Sequence, residues 1–267
     1  MVGKKVDPRD RFAIVLVRPE SVENIGLTAR AMKNTGFRDL RVVGLSRFEI
    51  GCPRTAVHSK DILKEASFFA DLASATAGLN IVFASTARPR QNFSVLPLEE
   101  AVSLMFTFPP EARIGLLFGN ERTGLTSAEL AASNFRWTIP QASRQPSYNL
   151  AAAVLITLFE VFRRLMMGTV PFSHDPVLKT AGPDEEKIGR SLFFREVPLP
   201  RDDQEKCIRL IIQKLEERDF IHPTNKRHTT QMLHDLLGRL AMTDRDRKLL
   251  LAVFSHTGKG GGRSRPA

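Results

Sequence analysis

Residues 137–160, WTIPQASRQPSYNLAAAVLITLFE, decide how the rest of the chain is read. They open at the end of a β-type run, 135–139, which Pro140 stops. A polar loop follows, with Arg144, Pro146, Ser147 and Asn149. From Leu150 to Ile156 no polar residue occurs, the pattern of a helix entering a core. A strand end, a loop of hydroxyl, amide and guanidinium groups, and a buried helix form the layout of a ligand site in an open α/β sheet. Ser147 and Asn149 also fit a simpler role, capping the helix that begins at Leu150. Both roles stay open at this point.

Upstream, strand and helix patterns alternate. Residues 12–17 (FAIVLV) form a continuous apolar run, as expected of a strand buried on both faces. Ser21 or Asn24 can cap a helix that reaches about Thr35 and stops at Gly36. On that helix Gly26, Arg30, Lys33 and Asn34 share a polar face beside the apolar Ile25, Ala29 and Met32. Residues 40–44, 80–84 and 114–118 read as further strands, 61–77 and 99–105 as helices. The strand at 80–84 runs into Ser85, Thr86, Ala87, Arg88, Pro89 and Arg90. The strand at 114–118 runs into Gly119, Asn120, Glu121, Arg122, Thr123 and Gly124, with Thr126 or Ser127 capping the next helix. The loop from Gly119 is neither a Walker A nor a GxGxxG loop, and no GxGxxG follows the first strand, which weakens a dinucleotide-dependent dehydrogenase. The alternation predicts a parallel sheet with helices on both faces through residue 167.

Beyond that point the pattern changes. Pro171, Pro176, Gly182 and Pro183 mark a linker, taken as 168–190. Three amphipathic helix patterns follow within 191–257, and the basic, glycine-rich tail 258–267 reads as disordered. The 267 residues carry 39 Lys+Arg against 29 Asp+Glu, a net charge of +10, which points to a polyanionic partner. Cys52 and Cys207 cannot build a disulfide framework, and the six histidines show no metal-ligand spacing, so no metal is expected. The N-terminus lacks a signal-peptide core and no apolar run reaches membrane-spanning length, which predicts a cytoplasmic protein without a membrane partner.

Three segments together are specific. They are NIGLTAR at 24–30, LFGNERTGL at 117–125, and Ile139-Pro140 followed by SYNLA at 147–151. In this order they resemble the signature motifs of the SpoU branch of the SPOUT RNA methyltransferases, over about residues 11–165. The 85–88 segment and the helical C-terminal part resemble the TrmJ-like subgroup, which methylates tRNA ribose. Tyr148 departs from the pattern, where the family usually has an aliphatic residue.

The resemblance implies a parallel α/β sheet closed by a trefoil knot, S-adenosyl-L-methionine held in the knot, and a homodimer that completes the active site. Ala84, Ser85, Thr86, Ala87, Leu117, Phe118, Gly119, Ile139, Pro146, Ser147, Tyr148 and Asn149 would line the cofactor pocket. Arg30, Ser147 and Asn149 would be catalytic. Arg18, Asn24, Lys33, Arg88, Arg90, Arg122 and Arg144 would face RNA, and Glu121 with Asn24 would brace the loops. Methyl transfer to a ribose 2′-OH requires an in-line approach and stabilisation of a developing alkoxide. A guanidinium donates and does not accept protons, so Arg30 is read as an electrostatic stabiliser. The substrate expected is tRNA at its anticodon loop, with rRNA as runner-up and a non-catalytic RNA-binding protein of the same fold as the competing class.

Overall fold

The computed structural model describes residues 7–46, 54–56, 58–87, 94–142, 147–167, 196–222 and 224–255. The expected linker at 168–190, the tail at 258–267, and Arg88, Arg90, Arg144 and Pro146 lie outside the described residues. Strands β1 (Phe12–Val17), β2 (Asp39–Val43), β3 (Ser67–Phe69), β4 (Ile81–Ser85), β5 (Leu96–Pro97), β6 (Ile114–Phe118) and β7 (Phe135–Thr138) form one sheet in the order β3-β2-β1-β6-β4-β7-β5. Every pairing is parallel. All six residues of β1 are buried, as its uninterrupted apolar sequence requires between two helical layers.

Helix α1 (Val22–Thr35) starts where Ser21 accepts from the Asn24 N–H and ends at Gly36, whose φ of 82° only glycine adopts without strain. The expected helix over 61–77 is instead two short helices, α2 (Lys60–Glu65) and α3 (Leu72–Thr76), with β3 between them. Ser67, Phe68 and Phe69 pair with Arg41, Val42 and Val43 at the sheet edge, and that pairing overrides the helical periodicity. Helix α4 (Leu98–Met105) follows β5, and α5 (Ser127–Ala131) follows β6 behind a Thr126–Glu129 capping box. Helix α6 (Leu150–Met166) packs along α1, burying Leu150, Val154, Leu158 and Val161. Its other side leaves Leu155, Phe159, Met166 and Met167 exposed.

Helices α7 (Arg201–Glu216), α8 (Lys226–Gly238) and α9 (Asp244–Ser255) enclose a small core of their own around Cys207, Ile208, Ile211 and Leu237. Their apolar stripes are buried only in part. Met232, Leu236 and Leu240 on one side, and Leu249 and Val253 on another, are exposed. The unit docks under the sheet, at the N-terminal ends of the strands. Asn80, just before β4, donates to the Pro198 carbonyl at 2.5 Å. Asn134, just before β7, donates to the Gly238 and Leu240 carbonyls at 3.2 and 3.0 Å. Arg201 reaches the carbonyls of Ala132 and Gly238, and Gln204 reaches that of Asn80. Among the described residues no helix is long and apolar enough to cross a membrane.

Candidate functional site

The loops at the opposite, C-terminal ends of β4, β6 and β7 surround a pocket, together with the first turns of α6. The position follows from topology. β1 leads outward to β2 and β3, whereas β6, β4, β7 and β5 build the other half, so the loops diverge above β1 and β6. Ser85, Thr86, Ala87, Phe118, Gly119, Ile139, Ser147 and Tyr148 line the pocket, as expected. Asn120, Thr123, Gly124, Leu125, Trp137, Gln141, Leu150 and Ala153 line it too and are not among the expected wall residues, although five of them lie within the quoted motifs.

Ala84 and Leu117 do not reach the wall. They are register partners on β4 and β6 and are fully buried, one step beneath the pocket floor. Period-two alternation of a strand makes that outcome general, because adjacent residues cannot share a face.

The 119–125 loop is folded by its own side chains. Asn120 accepts from the N–H groups of Arg122 and Thr123 at 2.9 and 3.0 Å and donates to the Arg18 carbonyl at 2.8 Å. Gly124 turns back with φ 66°, and its N–H meets the Asn120 carbonyl at 2.8 Å. That turn brings the chain over Gly119. A Cβ there would lie 2.4 Å from Gly124 C and from Leu125 N. Glycine is therefore required at 119 by the turn itself, which packs backbone against backbone there.

A chain of amides ties the three motif segments together. Asn149 Nδ2 donates to Asn24 Oδ1 at 2.9 Å, and Asn24 Nδ2 donates to Glu121 Oε1 at 2.9 Å. Glu121 also accepts from the N–H groups of Glu20 and Ser21, at 2.9 and 3.1 Å. Burial pushes the Glu121 carboxyl up, but the bonds from Asn24, Glu20 and Ser21 outweigh it and hold the group below the ordinary glutamate value. Asn149 Oδ1 meanwhile accepts from the N–H groups of Ala151 and Ala152 at 3.0 and 3.3 Å, capping α6. The capping role open to Asn149 is thus present, and the residue is absent from the pocket wall. Asn24 is buried within this chain of bonds and does not present an RNA-facing surface.

The basic residues divide. Arg30 is exposed on α1, outside the pocket, and forms no side-chain hydrogen bond or ion pair among the described residues. Lys33 pairs with Asp61 on the surface. Arg122 is 78% exposed, lines the pocket rim and pairs with Glu20 at 3.1 Å. Arg18, partly exposed, is paired within the chain, its guanidinium bridging both oxygens of Glu129. It also holds a backbone φ of 50°, which its N–H bond to Val43 O supports. Arg18 therefore braces β1 against α5 rather than standing free for phosphate.

The same fold and order of segments occur in known proteins. The chain is 30% identical over 253 residues to the tRNA (cytidine/uridine/adenosine-2'-O-)-methyltransferase TrmJ of Pseudomonas aeruginosa, covering 94% of this chain and 95% of that one. It is 28% identical to the tRNA (cytidine-2'-O-)-methyltransferase TrmJ of Methanocaldococcus jannaschii, over 79% of this chain and 93% of that one. The crystal structure of TrmJ from Z. mobilis ZM4 superposes with a TM-score of 0.69 at 28% identity, over 91% of this chain and 97% of that one. Residues 11–159 match the SpoU rRNA Methylase family, a span that holds the whole sheet, the amide chain and the pocket. The chain belongs to the SpoU rRNA methylase family.

Proposed function

We propose that the protein methylates a ribose 2′-OH of tRNA with S-adenosyl-L-methionine as methyl donor. The observation that carries this reading is the Asn149–Asn24–Glu121 chain, which draws all three motif segments around one pocket. The pocket fits the cofactor: a wall formed by the tight 119–125 turn, apolar side chains at Phe118, Leu125, Ile139 and Leu150, and hydroxyl and amide groups at Ser85, Thr86, Ser147 and Gln141. When bound, S-adenosylmethionine supplies a methyl group on a cationic sulfur, a good leaving group. The protein must orient the hydroxyl and stabilise the oxygen as it loses its proton. Ser147, exposed at the rim, can donate to the ribose or the cofactor. Arg30 donates to the nascent alkoxide or its neighbouring phosphate. Glu121 stays ionised and holds the loop before α1 against the pocket loop.

Labelled cofactor, total RNA and mapping of the methylated riboses test the reading. Methyl groups on rRNA in place of tRNA would move the substrate assignment. Cofactor binding without transfer would leave an RNA-binding protein.

Arg30 lies outside its own pocket, which supports a site completed by a partner. We infer a homodimer through α6, whose exposed Leu155 (44%), Phe159 (55%) and Met166 (72%) run at helical spacing beside a groove at Pro97, Leu98 and Pro140. Because α6 packs along α1, this pairing would carry Arg30 of one protomer toward its partner's pocket. We also read the passage from β7 to α6 as the threaded segment of a trefoil knot. β7 lies between β4 and β5, which are consecutive in sequence, and that strand order supports the reading. The helical unit 191–257 is read as a second domain that grips the body of the RNA, and the cytoplasm as the place of work.

Two predictions follow from these placements. Asn149→Ala should cost about 1 kcal/mol of stability through the lost cap. Asn149→Asp keeps the cap but sets a carboxylate against Asn24 Oδ1, so it should recover the melting temperature and still turn over slowly. Wild-type turnover in Asn149→Asp would remove the amide chain from the positioning of the reaction. RNA affinity should fall about tenfold or more between roughly 50 and 200 mM salt, as expected for even two phosphate contacts. A flat salt titration would leave the +10 charge without a role in binding.

A further inference from the structure

Trp137 is the one tryptophan of the chain. Its side chain is fully buried on β7, within the core cluster that also holds Leu150 and Val154 of α6. The indole meets the Phe118 ring edge-to-face, 5.6 Å between centroids and 88° between planes. It also forms part of the pocket lining, beside Leu125, Ile139 and Leu150. Its Nε1 is buried and has no hydrogen-bond partner among the described residues.

An indole nitrogen is a donor only, and its direction is fixed by the ring. Thr28 and Thr230 also carry unpaired buried oxygens, but a hydroxyl can rotate, and neither residue borders the pocket. A rigid buried donor with no acceptor is rare, and it calls for an explanation. The core cluster around Trp137 is hydrophobic, and none of the described groups pairs with the indole nitrogen. The pocket is the adjoining space from which an acceptor can come.

We propose that the Trp137 indole N–H is a cofactor-binding donor, giving its hydrogen bond to an acceptor atom of the adenosyl moiety. This rests on reading the pocket as the S-adenosylmethionine site. The adenosyl end is preferred over the amino-acid end because the wall around the indole is apolar. Phe118, Leu125, Ile139 and Leu150 suit a flat neutral purine, whose ring nitrogens accept, better than an ammonium or carboxylate. The donor is satisfied when the adenosyl group binds.

With one tryptophan, ¹⁵N-tryptophan labelling gives a single indole N–H signal. Titration of the full chain with S-adenosylhomocysteine, and with 5′-methylthioadenosine, which lacks the amino-acid end, should move that signal downfield in both cases. Trp137→Phe keeps an aromatic ring and removes the donor. Calorimetry should give it about tenfold weaker affinity for S-adenosylhomocysteine, the effect of one hydrogen bond in a buried site. Its melting temperature without ligand should fall only modestly, since removal of the orphaned donor offsets part of the gap left by the smaller ring. If the wild type binds S-adenosylhomocysteine but the signal stays in place at saturation, or Trp137→Phe binds equally well, the inference falls and the pocket reading survives. If the wild type binds neither ligand, both fall together.

Discussion

Arg30→Ala is expected to slow methyl transfer by about 10²–10³-fold while affinity for S-adenosylhomocysteine stays within about twofold. The split follows from position. Arg30 is exposed on α1 and borders no part of the pocket, so its loss leaves the cofactor wall intact. Among the described residues it makes no internal bond, so its loss should not lower the melting temperature. Single-turnover rates beside calorimetry check both halves. Turnover close to wild type would remove Arg30 from the reaction, and a parallel loss of cofactor affinity would place it in the pocket instead.

Gly119→Ala is expected to abolish detectable cofactor binding, and with it activity, in a protein that keeps its circular dichroism spectrum. The added methyl would lie 2.4 Å from two backbone atoms, Gly124 C and Leu125 N. Neither can swing aside as a flexible side chain would. Gly124 is pinned by its N–H to Asn120 O, and Asn120 is itself bonded to Arg18 O, Arg122 N and Thr123 N. Relief requires moving the whole 119–125 turn, which is the pocket wall. Calorimetry with S-adenosylhomocysteine decides it, and wild-type affinity would show that the turn yields. The two variants can also be combined. If Arg30 acts across a dimer, an equal mixture of the two inactive proteins forms hybrids with one complete site, and about a quarter of wild-type activity returns. If Arg30 acts within its own protomer, no activity returns.

The parallel sheet was legible because its long strands are buried on both faces, and such strands read as uninterrupted apolar runs. β1, with six buried residues, shows this best. β3 and β5 were not legible. Three and two residues long, they take their conformation from edge pairing with β2 and β7, not from their own pattern. The pocket loops stood out through glycines and hydroxyls past strand ends. Partnership across the chain did not: Arg18 and Glu129 are 111 residues apart, and Asn24 and Asn149 are 125 apart. Nor could hydrophobic patterning foretell that Leu236 and Leu249 would be exposed, since an apolar stripe announces a need for cover without naming what provides it.

The docking of the last helices under the sheet sets the order in which a nascent chain can become native. Synthesis runs from the N-terminus, and the segment 7–167 leaves the ribosome with its strands complete. Its floor is not. The Asn80 amide awaits the carbonyl of Pro198, 118 residues later, and Asn134 awaits those of Gly238 and Leu240, more than a hundred residues later. Until those carbonyls arrive, the lower ends of β4 and β7 hold amides whose acceptors have not yet been made. The pocket end, by contrast, closes on bonds from within the first 152 residues. A ribosome stalled before residue 198 would therefore display a protein finished at its chemical end and open at its base, and chaperone contacts should concentrate there.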